Sequence, residues 1–306
     1  MQSDTHKVGI IGLGNVGITA AYAMLLRHSV DELVLVSRSL EKSEGEKLDL
    51  EHGLAFLEPA KITASEDYAA LENADIVIVT AGAAQKPGQS RLDLVEENKK
   101  IVDELAPKLA PYVKNSVVVV VSNPVDVLTY RLSQALGLPK GRVLGTGTML
   151  DTARFRFHLS EFLHVNPRSI HAYILGEHGD SSFPAIASAT VGGQPLEHFP
   201  EFSMTLAQDA YTKTREAAAK IIAAKGATYY AIGVVISKLV QTILRDKKSV
   251  LPVSVPIENY YGESGVSVSV PCIVGRNGAE LTLQIVLSES EQAQFKKSCE
   301  VIRQFV

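Results

Sequence analysis

The sequence predicts an α/β fold: a doubly wound parallel sheet followed by an α+β unit. Three observations predict it. Short, continuous apolar runs alternate with helical stretches through the first half; a glycine-rich turn joins the first run to the first helix; and the texture changes near Leu144 with no linker between. Continuous apolar runs suit strands buried on both faces, whereas a half-exposed strand alternates.

The elements follow in order. Val8–Ile11, Leu33–Val36, Ile76–Val79 and Val117–Val121 read as strands. Ile18–Arg27, Leu40–Glu51 and a longer stretch from about Ser90 to Leu109 read as helices. Strand, helix, strand at this spacing makes βαβ units, so residues 1–144 form one unit and residues 145–306 another. In the second, Asp151–Phe162 reads as a helix, and Thr205–Leu244 as a long helical tract broken at Gly226 and Gly233. Val253–Val274 is strand-like, and Pro252, Pro256 and Pro271 suit antiparallel edges. Glu289–Gln304 closes the chain as an amphipathic helix.

Composition narrows the function class. With 46% hydrophobic and 21% charged residues, the chain is globular rather than disordered. A net charge of −4 without a basic tract disfavours a nucleic-acid partner. No apolar run approaches the roughly 20 residues of a membrane span. Val8–Leu13 is interrupted by glycines and lacks a cleavage pattern, so it is no signal peptide. Cys272 and Cys299 make no disulfide framework and match no zinc spacing, so no metal is expected. The expectation is a soluble, cytoplasmic enzyme.

Gly12-Leu13-Gly14-Asn15-Val16-Gly17 follows the first strand and opens the first helix. Such glycines allow a tight turn, let backbone approach a pyrophosphate, and let helix and strand pack closely. The helix N-terminus adds unpaired N–H groups and a positive dipole end. A Rossmann-type dinucleotide-binding domain follows from this turn in this context.

About 20 residues past such glycines an Asp or Glu ordinarily accepts from the adenosine ribose. Here the strand ends in Ser37-Arg38-Ser39. Serine does not repel a 2′-phosphate, and Arg38 can pair with one; alternatively Arg38 is a solvated charge beside a loosely held ribose. NAD is placed ahead of NADP, and both stay open.

Gly176-Glu177-His178-Gly179-Asp180 sets a histidine between glycines at the end of an apolar run. Asp151 and Arg154, three apart on a predicted helix, share one face. Asp151 can orient His178, and Arg154 can hold a carboxylate with its fork. Arg91 follows the glycine- and proline-containing stretch Ala83–Ser90, as a cation on a lid would. From spacing alone, each of the four is as readily structural.

These residues carry a resemblance. The chain resembles the lactate/malate dehydrogenase family, and within it the bacterial-type L-lactate dehydrogenases. The matching segments are Gly12–Gly17, Thr80–Gly82 with Gln85–Leu94, Ser122–Asp126, Leu150–Arg154, Leu175–Ser181 and Lys225–Thr228, in family order. The resemblance implies that the second unit is the catalytic domain and that His178 exchanges the proton with Asp151 as its partner. It implies that Arg91 polarises the carbonyl, Arg154 binds the substrate carboxylate, and Asn123, before a cis Pro124, bonds near substrate and cofactor. Val16, Lys42, Tyr68, Gly82, Ala83, Val121 and Thr146 align with cofactor-contacting positions, beside Gly12, Gly14, Gly17, Ser37 and Arg38. Ser37 departs from the family's usual Asp, which bears on the nucleotide and not on the reaction.

Substrate choice turns on Gln85, where the family's malate enzymes carry an arginine for a second carboxylate. Leaving that carboxylate buried and unpaired costs roughly 3–5 kcal/mol, or about two to three orders of magnitude in rate. Thr228 points the same way, since malate enzymes tend to be smaller there. Pyruvate and lactate are therefore expected, with malate or another 2-hydroxy acid as the alternative. A nucleotide-binding protein that had lost its chemistry would lack one of Arg91, Asp151, Arg154 and His178; all are present. The resemblance also implies a homo-oligomer, a tetramer, and fructose 1,6-bisphosphate as an effector at Arg156 and His171. Arg156 points about 200° around the helix from Arg154 and so needs a separate purpose.

Overall fold

The computed structural model describes residues 5–83 and 91–306, with the side chains of the second stretch from residue 94 onward. The first half runs β1 (Lys7–Ile11), α1 (Asn15–Leu26), β2 (Glu32–Val36), α2 (Leu40–Gly53), β3 (Lys61–Ser65), β4 (Ile76–Val79), α3 (Arg91–Leu109), β5 (Val117–Val120), α4 (Val125–Leu136) and β6 (Val143–Gly145). All its strand pairs are parallel, in the order β6-β5-β4-β1-β2-β3.

The apolar runs are continuous because each strand feeds two cores. Val117 and Val119 join Met24 of α1, while Val118 and Val120 join Leu105 of α3 and Leu128 of α4. Between β1 and β4 the winding reverses, which opens a crevice beyond their C-terminal ends. The Thr80 N–H donates to the Ile11 carbonyl at 2.9 Å and fixes the floor of that crevice.

The second half runs α5 (Met149–Leu163), β7 (Ile170–Leu175), β8 (Phe183–Val191), β9 (Gln194–Pro195), α6 (Met204–Lys225), α7 (Tyr230–Leu244), β10 (Ser249–Pro256), β11 (Ser267–Gly275), β12 (Gly278–Thr282) and α8 (Glu289–Arg303). β7, β8 and β9 form a small antiparallel sheet. β10, β11 and β12 are also antiparallel, but they extend the first sheet to nine strands. The seam is one register pair, Ser254 opposite Gly145.

Two expectations are corrected. Pro271 is not on an edge: β11 lies between β10 and β12, with Pro271 opposite Pro252. Gly226 does end α6, in the left-handed region at φ +83°, but Gly233 breaks nothing. It lies buried inside α7, where a Cβ would come within 2.6 Å of Thr19 Cγ2 on α1. Its missing side chain lets the two helices approach. Among the described residues, no helix is long and apolar enough to cross a membrane.

Candidate active site

Gly12 adopts φ +99°, and its carbonyl accepts from Thr80 Oγ1 at 2.5 Å. A Cβ at Gly12 would come within 2.6 Å of the Ala81 nitrogen, so only glycine fits the turn. A Cβ at Gly14, the N-cap of α1, would meet nothing within 4 Å. No side chain caps α1 and no acidic residue occupies its first turn. Among the described residues its N-terminal N–H groups thus lack a side-chain cap at the crevice, as a pyrophosphate requires. A Cβ at Gly17 would meet the Gly12 carbonyl oxygen at 2.2 Å, so the bare backbone here lets α1 pack against the turn.

Two cavities flank this turn. One, of about 570 Å³, is lined by Gly12, Gly14, Ser37, Arg38, Lys42, Tyr68, Gly82 and Ala83. The other, of about 670 Å³, is lined by Val16, Val121, Asn123, Thr146, Asp151, Arg154, His178 and Thr228. A molecule with two linked ring systems would span them across the α1 N-terminus. The Ser37 hydroxyl is already engaged, donating to the Ser39 carbonyl at 2.8 Å and lying 2.8 Å from Ser43 Oγ. These bonds shape the turn in which Ser39 caps α2.

In the larger cavity His178 Nδ1 lies 2.7 Å from Asp151 Oδ2. Arg154 Nη1 donates to Asp151 Oδ1 at 3.1 Å. Asp151 and Arg154 come from the first turns of α5, where Thr148 and Thr152 both engage the Ile174 carbonyl of β7, docking the helix beside the His178 loop. Burial disfavours charge on both members of the pair, but the opposite charges win. Asp151 is held below the usual carboxylate range by His178 and Arg154, and His178 is raised by Asp151 and Asp126.

Arg154 Nη2 is buried and has no hydrogen-bond partner among the described residues. A buried guanidinium nitrogen without an acceptor costs free energy until an anion fills it. Gln85 lies outside the described residues, as does the side chain of Arg91, which opens α3. The Asn123–Pro124 peptide bond is cis.

Arg156 turns away from the cavity. Its Nε donates to the Ala172 carbonyl at 2.8 Å, and its guanidinium lies over the Tyr173 ring. Exposed His171 neighbours Ala172 on β7, so the two residues meet at one strand.

Two polar residues without an expected role emerge. Asn98, buried on α3, accepts from the Ala83 N–H at 2.7 Å and donates to the Asn123 carbonyl at 2.8 Å, bridging the cavities. Asp126, in the first turn of α4, accepts from the His178 backbone N–H at 2.7 Å and from Ser254 Oγ at 2.6 Å. Asp126 stands inside a matching segment, but its target is a backbone group, which no spacing of side-chain types announces.

Residues 6–145 match the model of the lactate/malate dehydrogenase NAD-binding domain, and residues 148–305 that of the lactate/malate dehydrogenase α/β C-terminal domain. The chain is 46% identical over 301 residues to an L-lactate dehydrogenase of Synechococcus sp. (strain JA-3-3Ab), covering 98% of each. It is 42% identical to an L-lactate dehydrogenase of Thermoanaerobacter sp. (strain X514), again over 98% of each. Among solved structures, the ligand-bound minor L-lactate dehydrogenase of Enterococcus mundtii superposes with a TM-score of 0.95 at 41% identity, covering 99% of this chain and 98% of that one. With both halves matched, and the relay and the glycine turn set in one crevice, the chain belongs to the lactate/malate dehydrogenase family.

Proposed function

We propose that this protein is an L-lactate dehydrogenase, interconverting pyruvate and (S)-lactate with a nicotinamide cofactor. The observation that carries the reading is the buried Nη2 of Arg154, without an acceptor among the described residues, beside the His178–Asp151 pair. A 2-oxo acid brings a carboxylate and a ketone on adjacent carbons, one for the guanidinium and one for the imidazole. With Nδ1 committed to Asp151, His178 Nε2 is left to give a proton to the ketone oxygen and to take it back from lactate. Asp151 stays anionic throughout and supports the imidazolium. Bound in the crevice, the nicotinamide supplies or accepts the hydride.

Arg91 is assigned to polarise the carbonyl, and neutral Gln85 to face the methyl end of pyruvate. Asn123 and Thr228 share the substrate cavity. Residues 1–144 hold the cofactor and residues 145–306 supply the relay. NAD is the proposed nucleotide. NADP is a second reading, favoured by exposed Arg38 and Lys42 in the cavity, where Ser37 stands in place of a carboxylate after β2. Exposed Tyr22 and Leu26 on α1, Leu48 on α2, and Tyr230 and Val234 on α7 support self-association, read as a tetramer. Arg156 and His171 are assigned to a sugar bisphosphate effector.

The test compares pyruvate with oxaloacetate in the wild type and in His178→Asn. Pyruvate is the preferred substrate, and the variant loses at least about a hundredfold in kcat while NADH affinity by fluorescence stays within a few-fold. Preference for oxaloacetate, or an active variant, overturns the reading.

A further inference from the structure

Lys225 opens the matching segment Lys225–Thr228 and has no part in the proton relay. It ends α6, and its Nζ lies 3.5 Å from the centre of the Tyr229 ring and 4.0 Å from that of Tyr230. The two rings stand edge to face, 4.5 Å apart at 63°, and so form a notch that a cation fills. Lys220, earlier on the same helix, pairs with Glu216 at 2.7 Å. Among the described residues no carboxylate pairs with Lys225, whose partners are the two rings.

In sequence, Thr228 stands between the cation and the rings, and it lines the substrate cavity with Ile222 of α6 and Ile232 of α7. Little else holds it. Among the described residues Thr228 makes no hydrogen bond. Gly226 turns the chain at φ +83°, and a Cβ there would meet nothing within 4 Å. Tyr229 is the N-cap of α7 and makes no side-chain cap bond. We propose that Lys225 is a positioning residue for substrate selection: clasped by Tyr229 and Tyr230, it closes the turn between α6 and α7 and fixes Thr228 against the far end of the substrate. The proposal rests on the reading of this cavity as the pyruvate site.

A clasp and a helix cap behave differently. Lys225 also stands at the C-terminus of α6, where a cation suits the negative end of the dipole. Were that its purpose, removing the charge would lower the melting temperature and leave the substrate alone, and the rings would not matter. In a clasp the charge and the rings act as one unit. Removing either frees the turn, so Thr228 must be ordered again each time substrate binds. That cost falls on pyruvate binding rather than on the proton step at His178. The cavity of Arg38 and Lys42 is lined by no residue of α6 or α7, so the cofactor's hold there is spared.

The test measures pyruvate and oxaloacetate reduction, Tm and NADH fluorescence titration for the wild type, Lys225→Met, Lys225→Arg, Tyr229→Leu and the Lys225→Met/Tyr229→Leu double variant. Lys225→Met keeps the stem without the charge, whereas Lys225→Arg keeps a cation that also stacks on rings. In Lys225→Met the KM for pyruvate rises about fivefold, the worth of one exposed cation–π contact, while kcat and NADH affinity stay within about twofold. The kcat/KM preference for pyruvate over oxaloacetate falls by a like factor, because a loosened turn no longer excludes the longer acid. Lys225→Arg returns both quantities to within about twofold of the wild type. Tyr229→Leu reproduces the KM rise, and the double variant is no worse than either single one. An unchanged KM in Lys225→Met overturns the proposal, whether or not Tm falls. So does an arginine that fails to rescue, or a double variant whose KM rises by the product of the single effects. A wild type that does not reduce pyruvate fails the parent reading instead, so the two failures are distinguishable.

Discussion

Ser37, directly after β2, spends its hydroxyl on its own turn, and that position offers no carboxylate to accept from a ribose or to repel a 2′-phosphate. Ser37→Asp restores both effects. The ratio of kcat/KM for NADH over NADPH is expected to rise tenfold or more, about one charge-assisted hydrogen bond. A wild type that already rejects NADPH as strongly as the variant would show that this corner does not read the ribose. The relay makes a second prediction at this scale. Because folding raises His178 above 6.5, pyruvate reduction should hold past that value and then decline, with lactate oxidation rising through the same midpoint. The stabilisation from the imidazolium pair is fully present below 6.5 and is lost as pH rises through the raised value. A rate profile with its alkaline midpoint below 6.5 would contradict the pairing. His178, Asp151 and Arg154 were legible in sequence because side-chain chemistry sits there in family order. Asp126 and Asn98 were not, because each acts on the main chain of a residue far along the chain.

Among the elements, the strands of the parallel sheet were the most legible, since burial on both faces leaves nothing but apolar residues in β4 and β5. Gly233 was misread for a physical reason. A glycine within a helical run signals a weak point, and the sequence near it carries no sign that another helix presses there. The packing yields paired predictions. Gly233→Ala places a Cβ 2.6 Å from Thr19 Cγ2 and 3.1 Å from the Thr19 carbonyl carbon, so α7 must move off α1. The expected loss is about 1–3 kcal/mol, read as a lower Tm. Gly45→Ala, in α2, meets nothing within 4 Å and should gain about 0.5–1 kcal/mol. Equal melting shifts in the two variants would refute the packing account.

At the scale of the whole molecule, the class of the fold was legible and the joining of its halves was not. The texture change near Leu144 is real in sequence, yet β10 returns to the edge of the first sheet at a single pair, Ser254 and Gly145. One register pair leaves no periodicity to find. The proposed tetramer supplies the remaining prediction. Arg156 bonds to the Ala172 carbonyl of β7, next to His171, and guanidinium groups brought together across a subunit interface would repel until an anion neutralised them. Fructose 1,6-bisphosphate should therefore lower the half-saturating pyruvate concentration and favour the larger assembly. Unchanged saturation and sedimentation would remove the effector and leave the chemistry intact.

Because α7 of the second half rests on α1 of the first, the two halves are not interchangeable parts. A chimera joining residues 1–144 of this chain to the second half of a relative works only if the incoming helix also presents bare backbone opposite Thr19. A crossover anywhere between these partners separates them. Recombination among such proteins should then favour breakpoints that carry Thr19 and Gly233 together, and a library of shuffled halves sorted for solubility would reveal the linkage.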